Sequence, residues 1–162
     1  MSDSLYVVLN KEQLKSPADW NKHLLDAQML VSISETLNSF SHSGYISCSY
    51  DGKRTGFEYE LEELDLEELD LEDFSEEHRG SLGSKDSVVS FTLRDGAKSS
   101  LAASAVAAAI ADLSDGILFD VDETLIQPSD ALEWAKYCIH EYNIYEEKRA
   151  QAKKELRKLR KS

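Results

Sequence analysis

Two aspartates and a threonine at alternate positions, Asp120, Asp122 and Thr124, are the residues whose types and spacing come nearest to reaction chemistry. They begin inside the apolar run Ile117–Val121, which is typical of a short strand. Covalent phosphoryl transfer to a carboxylate needs a proton donor close by and a Mg²⁺ that holds the phosphoryl oxygens. Paired carboxylates followed by a hydroxyl could supply part of such a site.

The segment Gly116–Ile126 resembles the first motif of the haloacid dehalogenase-type phosphatases, in which an apolar strand ends in Asp-x-Asp-x-Thr. The resemblance implies Asp120 as nucleophile, Asp122 as acid/base and Thr124 as a phosphate contact. That family places the motif at the start of a large α/β domain and adds further Ser/Thr, Lys and acidic motifs later. Only 38 residues follow Thr124, and they read as one helix. We therefore interpret the segment as an acidic turn, and predict no catalytic residue, no enzyme activity and no cofactor.

The cysteines and histidines show no pattern of a metal or redox site. Cys48 and Cys138 are the only cysteines, and they are far apart in the sequence. The four histidines have no zinc-type spacing. Both cysteines lie among apolar neighbours, which is typical of buried free thiols in a reducing compartment.

The most unusual feature is an acidic, leucine-containing repeat. Three copies of a five-residue unit run from Leu61 to Ser75, and residues 58–77 hold twelve acidic residues and no basic one. A period of five matches neither a helix nor a strand, so the leucines cannot share one face. Two interpretations stay open: a solvated loop, or an arm that binds a basic surface through carboxylates and apolar anchors. A third is mimicry of a phosphate backbone that blocks a nucleic-acid enzyme.

Under the binding interpretation, the contacts to a partner come from the acids of the repeat and its apolar anchors. The predicted partner-binding residues are Glu62, Glu63, Asp65, Leu66, Glu67, Glu68, Leu69, Asp70, Glu72, Asp73 and Phe74.

The rest of the chain predicts alternating strands and helices. Asp51-Gly52 between two β-type runs indicates a tight hairpin. The stretch Leu30–Phe40 is ambiguous between the end of the first helix and a strand. The predicted strands are Leu5–Leu9, Tyr45–Tyr50, Thr55–Leu61, Ser87–Leu93 and Ile117–Val121. The first predicted helix begins at Pro17 and has Trp20, Leu24, Ala27 and Leu30 on its buried face. The second runs from about Lys98 to Leu113. The third begins at Pro128 and has Leu132, Ala135, Ile139 and Tyr142 on one stripe.

This element order predicts an α+β fold of two layers, with a small antiparallel or mixed sheet and helices packed on one face. With 162 residues the chain is long enough for one core. We predict one domain over residues 1–147, interrupted by an acidic, weakly ordered loop insertion at about 61–85. A basic helical tail, residues 148–162, follows it.

The net charge of −13 is unevenly distributed, since residues 148–161 hold eight basic residues and one acid. An acidic body favours a basic protein partner and disfavours direct binding of nucleic acid. The tail lacks aromatic residues for base stacking, so we interpret it as a solvated helix end rather than an RNA-binding element. Pairing of the tail with the chain's own acidic repeat is an alternative. No secretory signal or membrane-spanning stretch is present, which predicts a cytoplasmic protein away from membranes.

Two stretches, Gly44–Glu60 and Asp115–Ala135, resemble small bacterial immunity proteins of contact-dependent or polymorphic toxin systems. The first holds Thr-Gly-Phe-Glu after a hairpin, and the second is a strand leading into Ser-Asp-Ala-Leu-Glu-Trp-Ala. The resemblance implies a cytoplasmic protein that occludes the active site of one cognate toxin, often a nuclease with a basic cleft. The alternative function is an acidic adaptor or chaperone-like protein for another basic partner.

Overall fold

The computed structural model describes residues 3–65, 67, 74–94 and 96–161. Within these residues, seven strands form one antiparallel sheet in the order β2-β3-β4-β5-β1-β6-β7. The strands are β1 (Ser4–Leu9), β2 (Val31–Ile33), β3 (Gly44–Tyr50), β4 (Lys53–Glu63), β5 (Ser87–Leu93), β6 (Ile117–Phe119) and β7 (Leu125–Ile126). The helices are α1 (Pro17–Asp26), α2 (Glu76–Gly83), α3 (Ala97–Ser114) and α4 (Pro128–Lys161), and a 3-10 turn covers Lys11–Gln13.

The predicted α+β fold, with helices packed on a sheet, is confirmed. The β3–β4 hairpin turns at Asp51 and Gly52, whose φ angles of 50° and 76° are those of a two-residue turn that matches the strand twist. Helix α1 begins with a capping box, in which the Ser16 hydroxyl accepts from the Asp19 amide while the Asp19 carboxylate accepts from the Ser16 amide. The predicted hairpin turn and the predicted start of the first helix are therefore confirmed.

Three helices, α1, α3 and α4, share one face of the sheet. α3 lies at the centre of this layer, where it contacts β1, β4, α1 and α4. Its residues from Leu101 to Ala111 are all buried, and seven of these are alanines. Small side chains let the helix approach the sheet on one side and α4 on the other, because they add little bulk at either surface.

The opposite face of the sheet is partly covered, which corrects the prediction that all helices lie on one face. Val7 belongs to the core beneath α3, whereas its neighbour Val8 packs with Leu82 of α2, Ile117 and Phe119. Successive side chains of a strand point to opposite faces, so α2 lies on the second face. It covers only the end of the sheet near β1 and β6.

The predicted extension of the first helix to Leu30 is wrong. Gln28 has a φ of 60°, which is incompatible with continued right-handed helix. Met29 is buried in its place, Leu30 is exposed, and β2 begins at Val31. The ambiguous stretch therefore starts as a strand.

The acidic insertion predicted at 61–85 has regular structure over much of its described part. Leu61–Glu63 completes β4, and α2 starts after Ser75, whose hydroxyl accepts from the His78 amide at 3.2 Å. The expectation of a weakly ordered loop is thus wrong for these two stretches. Residue 66 and residues 68–73 lie outside the described part of the chain.

Helix α4 is longer than the sheet is wide. It begins just after β7, and its residue Tyr142 lies close to Tyr50 of β3. Burial raises the pKa of Tyr50 most, and the nearby Asp51 and Tyr142 raise it further. Residues 128–144 span about 26 Å, while seven strands span about 29 Å from β7 to β2. The next residues, 145–161, are exposed except for Glu146. They form the α4 extension, which continues about 25 Å past the packed part.

Candidate functional site

Strand β4 carries a row of carboxylates on the face opposite α3. Phe57, Tyr59 and Leu61 pack into the core beneath the helices. Glu58, Glu60 and Glu62 alternate with them and therefore point to the other face. Every second residue of an extended strand is about 7 Å further along, so the three carboxylates form a straight, evenly spaced line.

Polar residues and two tyrosines surround this line, in the part of the sheet that α2 leaves uncovered. Antiparallel register places them in rows that cross the sheet at right angles to the strands. From β3 to β1 the first row is Tyr45, Glu58, Thr92 and Ser4, and the second, which begins at β4, is Glu60, Ser90 and Tyr6. We call these seven residues together with Glu62 the open face.

One end of the open face is organised by a contact among Tyr45, Arg94 and Glu58. Arg94 donates to the Glu58 carboxylate at 2.8 Å and lies over the Tyr45 ring, 5.1 Å from its centroid. The ring occupies the space beside Gly56 that a Cβ at that position would need. In the described part of the chain, neither Glu60 nor Glu62 forms an ion pair. The carboxylates of these two residues are thus available to an external cation.

The structure separates the described members of the predicted partner-binding set. Glu62 belongs to the open face, whereas Glu63, the next residue of the strand, points to the other face of the sheet. Asp65 and Glu67 are exposed beyond the strand, with Asp65 Oδ1 accepting from the Glu67 amide at 3.0 Å. Phe74 packs edge-to-face on Phe119, with 5.8 Å between ring centroids, and is half-buried within this chain. The other predicted residues, Leu66, Glu68, Leu69, Asp70, Glu72 and Asp73, lie outside the described residues.

Sequence reasoning placed no contact at Glu58, Glu60, Tyr6 or Tyr45. A signal for the two glutamates was present, because apolar and acidic residues alternate strictly from Phe57 to Glu62. That alternation requires one face of β4 to be acidic. The two tyrosines could not be placed beside it without the pairing of β3, β4, β5 and β1.

The Asp-x-Asp-x-Thr segment forms the turn between β6 and β7. Asp120 Oδ1 accepts from the backbone amides of Asp122 and Thr124, each at 2.9 Å. The Asp120 amide donates to the Thr124 carbonyl at 3.1 Å, and Glu123 has a φ of 62°. β6 is antiparallel to both of its neighbours. The interpretation of this segment as an acidic turn is confirmed.

Replacing Asp120 with alanine should lower the free energy of unfolding by about 1–2 kcal/mol, because two amides lose their side-chain acceptor. Asp120→Asn keeps an acceptor oxygen and should cost less than half as much. Urea unfolding followed by circular dichroism measures both. Equal losses for the two variants would show that the charge, not the two hydrogen bonds, stabilises the turn.

The two cysteines are free, and Cys48 is buried, as predicted, whereas Cys138 is only half-buried. Cys48 borders a shallow pocket of about 340 Å³ near Ser47 and Arg54. Burial raises the pKa of its thiol to about 11, so the nucleophilic thiolate is scarce at neutral pH.

Among the described residues, no three His, Cys, Asp or Glu side chains are grouped as metal ligands would be. None of the described helices combines the length and apolar character needed to cross a bilayer.

Comparisons of the chain with protein families, with curated proteins and with solved structures found no match.

Proposed function

We propose that this protein is a protein-binding inhibitor, an immunity protein that neutralises a cognate toxin by covering a basic active site with its open face. The observation that carries the proposal is the line of Glu58, Glu60 and Glu62 on a sheet surface that no described helix covers. An isolated antiparallel sheet face is normally polar and mixed in charge. Glu58 is paired with Arg94, whereas the carboxylates of Glu60 and Glu62 form no ion pair among the described residues, and a basic partner would supply their cations.

The chemistry of the partner follows from the surface. Nuclease toxins hold phosphates in basic clefts, so a row of carboxylates about 7 Å apart could occupy the positions of phosphates. Tyr6 and Tyr45 have 39% and 47% of their surface exposed and supply rigid, amphipathic contact area beside the charges. Opposite charge also speeds association, which matters for an inhibitor that must bind before its toxin acts. The proposed location of this activity is the cytoplasm.

The test begins with capture of the partner from a native bacterial lysate by the tagged chain, alongside the purified product of the neighbouring gene. The decisive variant is Glu60→Lys/Glu62→Lys. Its matched control is Glu133→Lys/Glu141→Lys, which changes the net charge equally at exposed sites of α4. Close charge pairs at interfaces couple by about 1.5–7 kcal/mol each, so we expect the first variant to bind at least about 100-fold more weakly.

We expect the wild-type chain to abolish the partner's nuclease activity at equimolar ratio, with association slowed by added salt. The control should bind within about threefold of the wild type, since surface charges far from an interface change affinity little. Failure to capture any partner, or equal binding by the two variants, would contradict the proposal. A saturated partner that stays fully active would instead indicate the adaptor function.

A further inference from the structure

The α4 extension is a helix whose residues are exposed, except for Glu146. Residues 148–161 carry a net charge of +7. In the described part of the chain, the one ion pair that any of its cations makes is between Arg149 and Glu146 of the same helix, at 3.7 Å. Tyr145 and Leu156 have 60% and 58% of their surface exposed. A lone helix of this length is only marginally stable in water, so an additional contact would stabilise it.

The apolar stripe of α4 continues into the extension in the same register. Alternating steps of three and four residues connect Ala131, Ala135, Cys138 and Tyr142, which pack against the core. The same steps lead on to Tyr145, Arg149, Ala152 and Leu156, so one cation interrupts the apolar stripe. A seam with this repeat keeps one side of a helix towards a neighbouring element. The extension therefore presents an apolar edge flanked by cations such as Lys153 and Arg160.

The open face is the complementary surface within the same molecule. No helix covers it among the residues that the structure describes. It carries the carboxylates of Glu60 and Glu62, and its exposed apolar area comes from Tyr6 and Tyr45. The extension is an exposed helix that carries cations together with the exposed side chains of Tyr145 and Leu156. Charge and apolar area thus match on both sides of such a contact.

An extension cannot reach the open face of its own chain. α4 packs on the opposite face of the sheet, together with α3, and Tyr142 lies close to Tyr50 of β3, so the extension begins beside that edge of the sheet. Pairing of two extensions with one another is opposed by the +7 charge that each carries. In a solution of the pure chain, the basic surface that matches the open face is therefore the extension of a second copy.

We propose that the α4 extension of one copy binds the open face of another, so that two copies exchange extensions and form a dimer. Reciprocal exchange closes with two-fold symmetry, because each copy has one extension and one open face. The contact uses the surface assigned above to a basic partner, but it does not depend on that function. It would make self-association compete with partner binding.

Sedimentation equilibrium of the pure full chain at about 100 µM tests this proposal directly, since weak homodimers have micromolar dissociation constants. We expect a dimer in about 0.1 M salt and a monomer in about 1 M salt, where the screening length falls to about 3 Å. Lys153→Glu/Arg160→Glu in the extension and Glu60→Lys/Glu62→Lys on the open face should each weaken dimerisation at least tenfold. Glu133→Lys/Glu141→Lys should dimerise as the wild type does.

A mixture of the two dissociated variants gives the sharpest result. In the mixed dimer the unaltered extension of one variant meets the unaltered open face of the other, and the reversed charges at positions 153 and 160 meet those at positions 60 and 62, so a mixed dimer should form. A wild-type chain that stays monomeric would overturn the proposal, as would variants that dimerise normally or a mixture that stays monomeric. Binding of a single-stranded RNA oligonucleotide or poly-glutamate by a monomeric wild type would assign the extension to an acidic ligand instead.

Discussion

Replacing Trp20 with alanine is expected to lower the free energy of unfolding by about 3–5 kcal/mol. Trp20 is fully buried on α1, and its ring lies 6.0 Å from that of Tyr59 in the middle of the sheet. It is among the largest side chains that join α1 to the sheet. The cavity left by its removal cannot close easily, because α3 and the strands around it are already densely packed. Guanidinium unfolding followed by far-ultraviolet circular dichroism measures the loss.

Trp20→Phe is the matched control for that cavity. The indole Nε1 has no hydrogen-bond partner among the described residues, so a buried donor already lacks compensation in the wild type. Phenylalanine fills most of the volume and removes that donor. We expect less than half of the loss caused by alanine, and equal losses would show that the volume of the side chain is not what matters.

Enlarging a side chain at the centre of α3 should lower the free energy of unfolding about as much as Trp20→Ala does. The cause would be overpacking rather than a cavity. Ala107 has no exposed surface, and the residues on both sides of it from Leu101 to Ala111 are buried all round the helix. Overpacking of a dense core typically costs about 1–3 kcal/mol. Ala107→Leu should reach or exceed the upper end, because the helix can move neither towards the sheet nor towards α4 without displacing the other layer.

Ala97→Leu gives the comparison within the same helix. Ala97 is the first residue of α3 and is exposed, so the extra methyl groups meet solvent. Its unfolding free energy should stay within about 0.5 kcal/mol of the wild-type value. A loss at Ala107 no greater than that at Ala97 would mean that α3 is less tightly held than its burial indicates.

The elements of this fold were largely predictable because their signals are local. The Ser16 cap, the Asp51-Gly52 turn and the alanine-rich run of α3 each depend on neighbours within a few residues. The position of β1 between β5 and β6 was not predictable, because strand pairing depends on contacts between distant segments. The location of α2 on the second face was equally hidden, since one leucine, Leu82, provides most of its buried surface.

The candidate site was only partly predictable, for a different reason. The prediction chose acidic residues because they belong to the five-residue repeat. In the structure, the acids of the open face are those that alternate with buried residues along β4. Glu62 satisfies both patterns, but Glu63 lies on the other side of the strand. Phe74, predicted as an apolar anchor for a partner, also contacts Phe119 of its own chain, which the composition of the repeat does not indicate.

The central place of β1 in the sheet has a consequence for synthesis on the ribosome. Leu9 pairs with Ser87, 78 residues later, and Val8 with Ile117, 109 residues later. The β3–β4 hairpin can form within microseconds of its synthesis, but β1 must wait unpaired until β5 and β6 exist. During that interval the apolar run Leu5–Leu9 is exposed to other nascent chains. Folding of this protein should therefore be limited by the late insertion of its first strand, and chaperones that bind short apolar segments have their clearest target there.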